Sequence, residues 1–145
     1  MDRVKLAAEY FESGYNCAQA VAAAFSDLTG FSPAQSAKMV SGFGGGMGRM
    51  REVCGAVSGM VFVISNLYGY ETPDQAAQGK VYAIVQELSA AFREKAGSII
   101  CREILKNPPS DPTPTPRTES FYMTRPCTRM VVLAAEILDN YIQNN

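Results

Sequence analysis

The chain has 145 residues, 47% of them hydrophobic and 19% charged, with a formal net charge of −1. That is the composition of one globular domain spanning 1–145 rather than of a disordered chain. It offers no basic field for gripping nucleic acid and no polybasic membrane anchor. The sequence holds no histidine, which removes Ser-His-Asp and Cys-His catalysis and imidazole metal ligation together.

Val4, Ala7, Ala8 and Phe11 recur at helical spacing and predict a first helix that ends at Gly14. Asn16 is the expected N-cap of a second, with Val21, Phe25 and Leu28 on one face and Gly30 as the stop. Ser32-Pro33-Ala34-Gln35 reads as a capping box with proline in the first turn, opening a short helix that fails at Ser41-Gly42. A glycine-dense turn, Gly42-Phe43-Gly44-Gly45-Gly46-Met47-Gly48, follows. From about Glu52 a central helix is expected, with Val53, Ala56, Met60, Val63, Ile64 and Leu67 inward. Thr72-Pro73-Asp74-Gln75 reads as a second capping box, opening a long helix through Ala77, Val81, Ile84, Val85, Leu88 and Phe92. Gly97-Ser98 interrupts it and recaps a brief segment, Ile99 to Leu105. A final helix is expected from Pro126 to about Tyr141.

Five of the eight prolines fall between Pro108 and Pro116, so 107–125 is expected to be an irregular, exposed loop. No segment alternates at period two for long enough to make a strand. The expected architecture is all-α, a compact single-domain bundle of about six helices with one long Pro-rich loop. The uncharged stretch Val53–Tyr70 is long enough to raise a membrane span, but Cys54, Ser58, Ser65 and Asn66 and a one-sided apolar stripe favour a buried helix. The segment after Met1 has no apolar signal core, so a cytoplasmic setting with reduced thiols is expected.

Without histidine, chemistry rests on Cys17, Cys54, Cys101 and Cys127. None is paired as Cys-x-x-Cys, which removes zinc-ribbon, thioredoxin-type and covalent haem motifs. Each falls in the expected first turn of a helix, where free N–H groups and the helix dipole stabilise anions. Arg51, Arg102, Arg125 and Arg129 push the same way. Four such thiolates suit an iron–sulfur cluster or a tetrahedral metal, and equally two redox dithiols. The alternative is four small buried hydrophobes. Gly55 and Gly59, one turn apart in the central helix, imply close approach of another backbone or of a cofactor. Arg49 and Arg51 are candidates for holding an acidic ligand. The glycine turn matches no nucleotide-binding motif. Met39, Met47, Met50, Met60 and Met130 read as core filler.

The segment Cys54-Gly55-Ala56-Val57-Ser58-Gly59, with Tyr15-Asn16-Cys17-Ala18-Gln19-Ala20-Val21 and the glycine-rich approach 42–48, resembles the C-GCAxxG-C-C family of redox-active proteins. Cys101 and Cys127 correspond to that family's third and fourth cysteines. The family's similarity to the iron–sulfur portion of split-Soret cytochrome c implies that Cys17, Cys54, Cys101 and Cys127 hold a cluster, as metal ligands. The haem of that cytochrome is not implied, since its attachment sequence is missing. The resemblance thus implies an electron-transfer protein with a redox partner. Three alternatives stand beside it. One is a thiol–disulfide oxidoreductase using the same cysteines as catalytic pairs; another is a zinc site; the third is an interaction module with no cofactor. A homodimer is the default expectation for assembly.

Overall fold

Local capping chemistry decides where most of the helices begin. In the computed structural model, which describes residues 2–145, the Asp2 carboxylate accepts from the Lys5 N–H and starts α1 (Arg3–Glu12). Asn16 and Gln19 close a reciprocal capping box on α2 (Cys17–Ala24). The single helix expected from Asn16 to Gly30 instead breaks at Phe25, leaving a short α3 (Ser26–Thr29). Ser32 and Gln35 form the expected box on α4 (Pro33–Met39), with Pro33 in its first turn.

The central helix, α5 (Gly55–Tyr68), starts three residues later than the expected Glu52. The reason is a competing backbone partner. The Cys54 N–H donates to Ile99 O at 2.7 Å and the Cys101 N–H to Glu52 O at 2.6 Å, around an isolated antiparallel bridge between Val53 and Ile100. Residues committed to that pairing are held extended and cannot join a helix. Helix α6 (Gln75–Ala96) is capped by Asp74, which accepts from Ala76 and Ala77, so the box expected to begin at Thr72 is not the cap. Gly97, in the left-handed region, closes α6. A four-residue α7 (Cys101–Ile104) follows.

The Pro-rich segment is not irregular throughout. Thr118 caps a short α8 (Glu119–Thr124) inside the stretch expected to be loop. The five prolines stop at Pro116, and the remainder is free to turn. The last helix, α9 (Cys127–Asn144), starts directly after Pro126. Of the nine helices, six have seven residues or more, and the described residues contain no strand. No described helix is long and apolar enough to cross a membrane.

Helix α2 lies at the centre, against α1, α4, α5 and α9. Six of its eight residues are buried, and all but Val21 of those are alanine. Phe11, Phe25, Met60, Ile64, Phe92 and Leu138 fill the space around it. Met60 fits the expectation of core filler, but Met39, Met47 and Met50 are exposed.

Small residues allow the closest contact in the core. A Cβ added at Gly59 of α5 would lie 2.7 Å from Ala18 O and 3.0 Å from Val21 Cβ, both in α2. The glycine therefore marks backbone-to-backbone packing. Gly79, in mid-α6, has nothing within 4 Å. Gly59→Ala is expected to lower unfolding free energy by about 1–3 kcal/mol, as core overpacking does. Gly79→Ala is expected to raise it by about 0.5–1 kcal/mol, the helix propensity gain. Urea unfolding of the two variants beside the parent checks both signs.

Candidate functional site

The starts of α2, α5, α7 and α9 surround one cavity of about 430 Å³, and all four cysteines line it. Cys17, Cys101 and Cys127 are the first residues of α2, α7 and α9. Cys54 is the residue before α5 rather than within its first turn, because the 53–100 bridge delays that helix. Cys54 and Cys101 are buried; Cys17 and Cys127 are half-buried. All four are free thiols.

One wall is the glycine loop, and its backbone is strained. Met47, Arg49 and Arg51 have φ of 65°, 66° and 64°, a region that costs an L-residue roughly 1–2 kcal/mol. Backbone bonds hold the conformation: the Arg49 N–H donates to Gly44 O, the Arg51 N–H to Gly45 O and the Glu52 N–H to Gly46 O. Strain held this way is characteristic of ligand clamps. Here it turns Arg49 and Arg51 into the cavity wall. Gly46 cannot be replaced at this point, since an added Cβ would sit 2.6 Å from Cys101 Cβ and 2.8 Å from Arg51 Cα. A Cβ on Gly55 would lie 3.2 Å from Cys17 Cβ and from Phe43 O.

The opposite wall is the Pro-rich segment, and arginines hold it. Arg49 donates to Asp111 and, at 2.7 Å, to Thr115 Oγ1. Arg51 Nε donates to Pro109 O at 2.8 Å. Arg117 donates to Phe11 O and Tyr15 O at the end of α1 and stacks over the Phe11 ring at 4.3 Å. Arg51 also approaches Cys101, with Nη1 3.7 Å from Sγ. Its Nη2 has no hydrogen-bond partner, although the residue is only 4% exposed.

The lining carries four arginines (Arg49, Arg51, Arg117 and Arg125) and no carboxylate. That field and the burial of the thiols work against each other. Burial pushes the Cys54 thiol up to about 12, against the opposing pull of the Ala56 and Val57 amides. Burial also raises Cys101, partly offset by Arg51. Cys17 and Cys127 shift each other in opposite directions. The Cys17 thiol is held well above its ordinary value, chiefly by donating to Cys127. Cys127 is lowered to about 7, first by that contact and then by Arg125, Arg117 and Arg51, against its own burial.

Among the other sequence-predicted residues, Gly55 and Arg51 line the cavity, whereas Gly59 packs on α2 away from it. Arg102 pairs with Glu52, and Arg129 is exposed. Sequence reading missed Arg117, Phe121 and the prolines Pro112 and Pro114 as cavity lining. Their only local signal was the expected loop itself, since their contacts reach across about a hundred residues to α1. Among the described residues, no three cysteine or acidic side chains are gathered closely enough to hold a single metal ion.

A helical domain that turns four thiols and four arginines into one cavity defines a protein with a cysteine-centred site. Residues 15–141 match the family model described as "Putative redox-active protein (C_GCAxxG_C_C)", and the chain belongs to that family. No curated protein and no solved structure matches it.

Thiolate is the reactive form, so alkylation follows ionisation. Limiting iodoacetamide is expected to label Cys127 first, at a rate that is low below pH 7 and rises through about pH 7. Cys54, protonated up to about pH 12, is expected to stay unlabelled until the fold is opened. Peptide mapping of the label across pH 5–9 checks the order.

Proposed function

We infer that the protein is a thiol-based redox protein in which Cys127 is the attacking sulfur and Cys17 the resolving one. The observation that carries this is that both thiols sit at helix starts, those of α2 and α9, on the wall of one cation-lined cavity, where each shifts the acidity of the other. The requirements of thiol–disulfide exchange are a thiolate, an adjacent second thiol and access. The α9 start and Arg125 stabilise a thiolate at Cys127, Cys17 supplies the neighbour, and both are half-buried rather than sealed.

The step balances as follows. The Cys127 thiolate attacks one sulfur of a substrate disulfide; a Cys127–substrate S–S bond forms, and the substrate S–S bond breaks. The first substrate half leaves as thiolate and takes the proton of Cys17. The Cys17 thiolate then attacks Cys127 sulfur, closing the Cys17–Cys127 disulfide and releasing the second half as thiolate. Two electrons pass from the protein dithiol to the substrate, and an external dithiol returns them. Cys54 and Cys101, buried and raised, stand behind as a second pair flanking the 53–100 bridge.

A second reading is favoured by the cavity as a whole. Four thiols with no carboxylate and four arginines on the wall have the donor chemistry of an iron–sulfur cluster. Cys17, Cys54, Cys101 and Cys127 would hold it, and it would supply one-electron transfer. The arginines would offset its negative charge.

On the dithiol reading, mild stoichiometric oxidation is expected to give the Cys17–Cys127 disulfide by peptide mapping. Cys17→Ser is then expected to accumulate a mixed disulfide on Cys127 and to lose turnover by about two orders of magnitude or more, as loss of an essential nucleophile does. An oxidised product linking any other pair would overturn the assignment. On the cluster reading, protein purified without oxygen is brown and carries iron and acid-labile sulfide that Cys54→Ser removes.

A further inference from the structure

The Arg51 side chain is built in a way that its contacts with the protein do not explain. It is 4% exposed, it sits at a backbone φ of 64°, and one of its terminal nitrogens has no acceptor. A buried guanidinium N–H without a partner costs about 1–3 kcal/mol or more, and the strained backbone adds to that. Both costs fall on a residue of the cavity wall, in the same loop that places Arg49 beside it. Arg125, half-buried on the same wall, donates no hydrogen bond to a described side chain or carbonyl. No carboxylate lines the cavity, so the Cys127 thiolate is the one protein anion these cations face there.

Beside Asn16, Ser41 and Thr115, much of the remaining lining is apolar. Phe11, Ile104, Leu105, Phe121 and Met130 face the same space. A small inorganic anion would leave that surface unfilled, whereas an organic molecule with one anionic end covers it and satisfies the arginine. A carboxylate is the group that a guanidinium fork binds best in two-point fashion.

We propose that the cavity binds a small organic disulfide bearing a carboxylate, its carboxylate on the guanidinium groups of Arg51 and Arg125, its sulfurs toward Cys127 and Cys17. The substrate's sulfur chemistry rests on the dithiol reading above; the anion site does not. Arg51 and Arg125 bind and position the substrate, while the two cysteines exchange electrons with it as already balanced. Selectivity follows from the charge pattern. A thiolate attacking a dianionic disulfide is normally slowed by repulsion, and here the arginines reverse that order.

The test compares two disulfides of similar size, the dianionic 3,3′-dithiodipropionate and the neutral bis(2-hydroxyethyl) disulfide, in single turnover with the reduced full chain. Binding of suberate, which has two methylenes in place of the sulfurs, is measured in parallel by calorimetry. The expected result is faster reduction of the dianion, by about tenfold or more. Suberate should compete with it, and in Arg51→Gln both the preference and suberate binding should be lost. Arg51→Gln also removes the bond to Pro109. Arg125→Gln, which releases no chain segment, is therefore measured beside it and is expected to move the preference in the same direction. Equal reduction of both disulfides with no suberate binding overturns the anion site and leaves the dithiol reading standing. Suberate binding that depends on Arg51, with neither disulfide reduced, supports the anion site and overturns the dithiol reading. A preference unchanged in both arginine variants, each shown folded by circular dichroism, overturns the assignment of Arg51 and Arg125.

Discussion

Helices α2 and α5 meet backbone to backbone, and most of what the protein can do follows from that approach. Gly59 sits where a Cβ would lie 2.7 Å from Ala18 O, and Gly55 where one would lie 3.2 Å from the Ala18 N and Cys17 Cβ. No side chains hold the two helices apart, so the start of one lies against the start of the other. Cys17 begins α2 and Cys54 immediately precedes α5. The same contact that closes the core therefore sets two sulfurs at one end of it. A single extra carbon at either glycine would separate the helices and the thiols together.

The second constraint is the short backbone pairing between 52–54 and 99–101. It ties the start of α5 to the start of α7 and carries Cys101 to the same cavity as Cys54. The cost falls on helix length: α5 begins at Gly55 because Glu52 and Cys54 are hydrogen-bonded to the 99–101 segment around the Val53–Ile100 bridge. Cys127 arrives by a third route, through Pro126 at the foot of α9, after a chain that Arg49, Arg51 and Arg117 pin to the bundle. These arginines serve two purposes. Their hydrogen bonds hold the Pro-rich wall, and the charge of Arg51 opposes burial at Cys101 and that of Arg51 and Arg117 opposes it at Cys127.

The division of labour among the thiols follows from depth. Cys54, almost sealed, keeps its proton; Cys127, half-buried and near three arginines, gives it up most readily. A site in which one sulfur is poised and its neighbour holds the proton is arranged for sequential attack. The strained loop 44–51 adds the guanidinium groups of Arg49 and Arg51 to the same wall. The proposed anion site and the proposed dithiol thus share one cavity.

Much was legible in the amino-acid order, for a physical reason: it depends on near neighbours. The N-cap at Asn16, the capping box at Ser32, the apolar stripes of the long helices and the proline break are all local, and the helical class follows from them. The Cys-Gly-Ala-x-x-Gly segment also carried membership of the family. What tertiary structure alone decided depends on contacts between distant segments. The 53–100 pairing shortened α5, the Arg117 anchor on α1 placed the Pro-rich wall, and burial, nearby arginines and the mutual effect of Cys17 and Cys127 set four similar thiols apart, one lowered and three raised. A cysteine's place in a helix can be read from the residues beside it; its acidity and its partner are set by what packs against it from elsewhere in the chain.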